Sequence, residues 1–161
     1  MRIAYLCAMP PEVTSLKQQL HSACEAVVSA RIQNIQTELA LTQASANEET
    51  KSSSGDKYET GRSMAQLEIE KATQQLRDAE HTLRTLLSVP LHTTPVAANG
   101  SVVITDLHRY YIAIAAGRIQ VGGHTYFAVS PASPAGLALM GHRIGDTITI
   151  ANLKMVIQEI L

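Results

Sequence analysis

Aromatic side chains are nearly missing from this chain of 161 residues: it has no Trp, a single Phe and five Tyr, 4% of the total. That excludes a large aromatic-centred core, and an apolar content of 45%, rich in Ala, Leu and Ile, suits a narrow helical seam plus a small compact domain. An excess of either charge is missing too. With 13 Lys and Arg against 14 Asp and Glu the net charge is −1, which excludes a strong global field toward nucleic acid or a membrane surface. Sequence-specific DNA binding is not expected, and any contact with nucleic acid has to be indirect. The two cysteines, Cys7 and Cys24, form no CxxC pair and have no His at ligand spacing. They read as incidental thiols of a reducing compartment. Six His are scattered without HxH or HxxxH spacing, so no stably bound metal or cofactor is expected. Long apolar runs are lacking as well: the opening MRIAYLCAMPP stops at Pro10-Pro11, too short for a membrane span and poor as a signal peptide, and a cytoplasmic protein is expected.

What is present is two apolar ladders with steps of four and three. The first is Val28, Ile32, Ile35, Leu39, Thr42, Ala46, and the second is Ala65, Ile69, Ala72, Leu76, Ala79, Leu83. This spacing is the seam of a coiled coil. Paired antiparallel, Val28 meets Leu83 and Ala46 meets Ala65, and the residue numbers of every pair add to 111. The mirror point falls between Gly55 and Asp56. Residues 1–89 are therefore expected to form an antiparallel helical hairpin with its tip at about 47–63, where Ser52-Ser53-Ser54-Gly55 breaks the helix. The early apolar positions of the first helix, Val13, Leu16, Leu20 and Cys24, drift from the heptad and are expected to pack against something other than the second helix.

After Pro90 and Pro95, which mark a linker, the period changes. Ser101–Thr105, Tyr110–Ala116, Thr125–Val129, Thr147–Ile150 and Lys154–Ile160 read as strands. Ser133-Pro134 and Gly141 bracket a short helix over Ala135–Met140, with a serine cap, proline at the first position and glycine past the end. The expected fold class is α+β: an N-terminal coiled-coil hairpin followed, over 96–161, by a small, bent antiparallel β domain with one short helix.

A hairpin followed by a domain containing SPxxxALMGxxxGD, here Ser133, Pro134, Ala138, Leu139, Met140, Gly141, Gly145 and Asp146, resembles the bacterial Gre transcript-cleavage factors. Gly55-Asp56-Lys57-Tyr58-Glu59 at the mirror point is similar to that family's GDxxE. The resemblance implies an FK506-binding-protein-like (FKBP-like) second domain that docks on RNA polymerase, with Ser133, Pro134, Leu139, Met140 and Gly141 shaping the docking patch. It implies a hairpin tip that enters the secondary channel, touching nascent RNA only indirectly. There Asp56 and Glu59 help hold a magnesium ion shared with the polymerase, which then cleaves the transcript of a backtracked complex itself. On this view the chain stimulates an enzyme and is not one. Taken from the residues alone, Asp56 and Glu59 have a second reading, as first-turn acids that complement the helix dipole. The segment continues as Thr60-Gly61-Arg62-Ser63 where the family usually has Asn, and Lys57 and Arg62 add positive charge beside the acids. Two alternatives follow: a secondary-channel modulator that does not support cleavage, and a structural coiled-coil adaptor.

Overall fold

The computed structural model describes residues 11–49 and 57–161, with side chains placed at 15–47 and 61–161. Two long helices come first, α1 (Pro11–Glu49) and α2 (Lys57–Leu87). They are followed by β1 (Val102–Thr105), β2 (Arg109–Ile112), β3 (Gly117–Val121), β4 (His124–Val129), the short helix α3 (Pro134–Leu139), β5 (Thr147–Ile150) and β6 (Leu153–Ile160). The fold class is the expected one, a helical hairpin and a small β domain with one short helix.

The described chain divides into two compact units, one holding 11–26 with Thr85–Leu161 and the other Val27–Arg84. In the Val27–Arg84 unit the seam lies where the ladders put it. Between Val27 and Asn47 the positions withdrawn from solvent are Val28, Ile32, Ile35, Leu39, Thr42 and Ala46, joined only by Ser29. Ile35, Ala72 and Ala79 form a buried centre with Ile32, Leu39 and Leu76 packed against it, and these six make up three of the pairs whose numbers add to 111. Toward the tip, one groove brings Thr42 and Ala46 together with Gly61 and Ala65, and another brings Gln43 and Asn47 together with Arg62 and Gln66. Fully burying one Leu or Ile stabilises by about 1.5–3 kcal/mol, and here alanines alternate with half-covered aliphatics. The seam is thin. Outside it the helix surfaces carry local polar pairs, Gln66 Nε2 donating to Glu70 Oε1 at 3.2 Å and Gln74 Nε2 to Asp78 Oδ1 at 2.9 Å.

In the other unit the hairpin base belongs with the sheet. Leu20, Cys24, Leu86 and Val89 are all buried in the unit that also holds the sheet. The compact units divide at 26/27 and 84/85. Gly100 seals this region: with φ +88 its missing Cβ would stand 1.9 Å from the Pro90 carbonyl oxygen, so only glycine fits.

The six strands form one sheet in the order β3-β4-β2-β1-β6-β5. Two expectations are corrected here. The sheet is mixed and not wholly antiparallel, because β2 and β4 pair in parallel, Tyr110 opposite Phe127 and Ile112 opposite Val129. The run Tyr110–Ala116 is also not one strand: β2 stops at Ile112, and a separate strand, β3, pairs antiparallel with β4 across the Gly122-Gly123 turn. Burial explains the insertion. In β4 Tyr126 and Ala128 are buried while Phe127 and Val129 are half-buried on the other face, so β4 is covered on both sides and sits inside the sheet. β3 exposes Arg118 and Gln120 and takes the edge. The core beneath α3 gathers Val103, Tyr110, Ile112, Leu139, Met155 and Ile157.

Candidate functional site

Two regions were expected to carry function, and the structure describes one of them. Asp56 lies outside the described residues, as does the side chain of Glu59. The backbone places Glu59 in the first turn of α2, which begins at Lys57. The donor set is two carboxylates three residues apart, chemistry that suits a hard cation such as magnesium. Among the described residues no group of three or more His, Cys, Asp or Glu stands close enough to hold a metal ion.

The second region is α3 and the loop after it. Ser133 Oγ accepts from Gly136 N at 3.0 Å and donates to the Ser130 carbonyl at 2.7 Å, so one hydroxyl both starts the helix and ties it to the preceding turn. Pro134 occupies the first turn, where its missing N–H is no loss. At Gly136 a Cβ would lie 2.0 Å from the Ser130 oxygen, so the helix rests directly on backbone. Met140 N closes the last turn on the Gly136 carbonyl at 2.9 Å, and Gly141, at φ +82, turns the chain and donates to the Ala97 carbonyl at 2.8 Å.

The next residues are pinned by Asp146. Its carboxylate accepts from Arg143 N at 2.8 Å and lies 3.2 Å from His142 Nδ1. The Arg143 amide first, and the His142 ring second, hold its pKa below the ordinary carboxylate value. Gly145 N and Ile157 N complete the clasp through the Ile157 and Asp146 carbonyls. The segment 141–146 is thereby a fixed loop.

Of the residues expected to shape a docking patch, Ser133 and Gly141 act on backbone and Pro134 is exposed, while Leu139 is fully buried and serves the core. Met140 is 36% exposed, and it is joined at the surface by two residues the sequence reading did not single out, Leu137 at 67% and Ile144 at 61%. Helical spacing held the signal for the first: Gly136 and Leu139, three apart, face inward, which turns Leu137 outward. For Ile144 only the Asp146 clasp decides. A capped helix and a pinned loop thus each present large apolar side chains to solvent.

At the hairpin base, Lys17 is fully buried, its Nζ donating to the His92 carbonyl at 2.9 Å, and burial lowers its pKa to about 8. Burial also pushes the Cys24 thiol up to about 12, which makes it inert as a nucleophile.

No protein-family model matches the sequence, and no curated protein matches it. Among solved structures, the chain is similar to the transcription factor Gfh1, with 21% identity over 86% of this chain and 93% of that one and a TM-score of 0.38. It is also similar to GreA factor homolog 1 (Gfh1) of Thermus thermophilus, with 18% identity over 86% and 95% of the two chains and a TM-score of 0.31.

Proposed function

We propose that this chain is a transcription elongation factor of the Gre type, which binds RNA polymerase through the surface around α3 and presents the hairpin tip to the polymerase secondary channel. The observation that carries the reading is the Val27–Arg84 unit: a two-helix rod that buries only its seam, with the GDxxE-like segment Gly55–Glu59 at the mirror point of that seam. A rod with so thin a core adds little to a globular body, whereas it suits insertion into a narrow space. The exposed Leu137, Met140 and Ile144 supply the kind of surface that docks a partner.

The carboxylates of Asp56 and Glu59 would hold a magnesium ion jointly with the polymerase, where the ion supplies Lewis-acid stabilisation for hydrolysis of the backtracked transcript. The chain alone has too few ligands for a closed site and is not itself the nuclease. A second reading, a secondary-channel modulator without cleavage, is favoured by Lys57 and Arg62 beside the acids.

A stalled, backtracked polymerase complex from the same source tests both. The chain should release short 3′ RNA fragments when magnesium is present, and Asp56→Asn with Glu59→Gln should abolish release while binding stays within a few fold. Equal release by the wild type and the double variant removes the catalytic role of the tip. Binding without release by either selects the modulator. No binding to polymerase removes both readings.

A further inference from the structure

The face of α1 turned away from the seam carries its own ladder: Val27, Ala30, Asn34, Thr37, Leu41, Ala44, with strict steps of three and four. All six are exposed, Val27 at 45% and Leu41 at 65% although both are large and apolar. The ladder is its own mirror image. Placed antiparallel against a copy of itself, Val27 meets Ala44, Ala30 meets Leu41 and Asn34 meets Thr37, and each pair of numbers adds to 71. Each bulky residue thus faces an alanine, the alternation that lets two helices interdigitate.

We propose that a second copy of this chain docks on that face, the two α1 helices running antiparallel about a two-fold axis. Charge points to the same partner. Arg31 and Glu38 flank the ladder on one side, a heptad apart and too distant to pair within one helix. Antiparallel docking brings Arg31 of each copy beside Glu38 of the other, so the ion pair forms twice by symmetry, as an isologous interface requires. The two central layers pair Asn34 with Thr37. The Thr37 hydroxyl already donates to the Gln33 carbonyl at 2.9 Å, which leaves its lone pairs free to accept from the Asn34 amide of the second copy. A polar layer of this kind sets register in coiled coils. The shallow depression lined by Gln33, Gln36, Thr37, Ala40 and Leu41 lies on this face and receives the small residues of the partner helix. Four aliphatic layers beside two polar ones make the dimer weak, with a dissociation constant on the order of tens to hundreds of micromolar.

Sedimentation of the full chain over a concentration series into the high micromolar range tests this, without polymerase and so independently of the reading above. The expected result is a concentration-dependent dimer that Leu41→Asp or Glu38→Arg each weakens by about tenfold or more, and that Arg31→Glu combined with Glu38→Arg restores. These positions are exposed, so circular dichroism should show unchanged helix content. A monomer at every concentration, a dimer indifferent to Leu41→Asp, or a double charge swap that fails to restore association would each overturn the proposal.

Discussion

The ammonium of Lys17 donates to the backbone carbonyl of His92 at 2.9 Å, tying the first turns of α1 to the linker 75 residues further on. The residue is fully buried, and its low pKa makes it a stability reporter. A base held at about 8 when folded, against 10.5 when free, binds fewer protons in the folded state across that window. Its burial penalty is therefore fully present below pH 8 and is relieved as pH rises to 10.5. Cys24 and Tyr111, both raised by burial, act in the opposite direction at alkaline pH, so a difference isolates Lys17. In urea unfolding, wild type should gain on Lys17→Met between pH 8 and 10.5 by on the order of 1 kcal/mol, since solvent screening reduces the full effect of the shift. A pH-independent difference between the two proteins would refute the assignment.

The seam predicts a second outcome. Leu39→Asp or Leu76→Asp replaces a half-covered leucine packed on the buried centre of Ile35, Ala72 and Ala79 with a charge, which loses that apolar contact and costs about 1–3 kcal/mol. Circular dichroism should lose helical signal while near-ultraviolet bands from the Tyr-bearing sheet persist. Ala79→Leu should also destabilise, by about 1–3 kcal/mol, because Ala79 is only 1% exposed. A seam pairing of different register would leave room for it.

At α3, Ser133→Ala removes a cap and the bond to Ser130, and should lower stability by about 1 kcal/mol in thermal unfolding. Gly136→Ala should do more damage, since the Ser130 oxygen 2.0 Å from the new carbon forces the helix off its seat. Under the polymerase reading, Gly136→Ala also weakens docking in a binding titration. Leu137→Ala should weaken docking without lowering the melting temperature, because Leu137 is exposed and Leu139 is the core residue.

The β5–β6 hairpin turns through Ala151 and Asn152 at φ 51 and 67. Both are left-handed, as a type I′ turn demands, and Ala151 has neither glycine's freedom nor asparagine's side chain to favour it. Ala151→Asn with Asn152→Gly should raise the melting temperature, with a gain of about 1 kcal/mol. A drop in stability would show that the turn depends on something other than backbone preference.

The hairpin was legible because helix geometry is local. A residue's side of an α-helix follows from its number, so Ile35, Leu39, Ala72 and Leu76 announce their burial through spacing alone, and the caps at Ser133 and Gly141 announce α3 in the same way. The mirror point between Gly55 and Asp56 needed only that arithmetic, although residues 50–56 lie outside the described residues. Strand order is different, because a strand's neighbours are chosen by burial on both faces and by connections that spacing does not encode. Tertiary packing alone inserted β4 between β3 and β2, and with it the parallel pair Tyr110–Phe127. Packing also drew Lys17 and Cys24 into the sheet unit. It seated α3 with Leu139 in the core and held Ile144 at the surface, since the backbone contacts of Gly136 and the clasp of Asp146 set which way that helix and loop face; given that seat, helical spacing turns Leu137 outward.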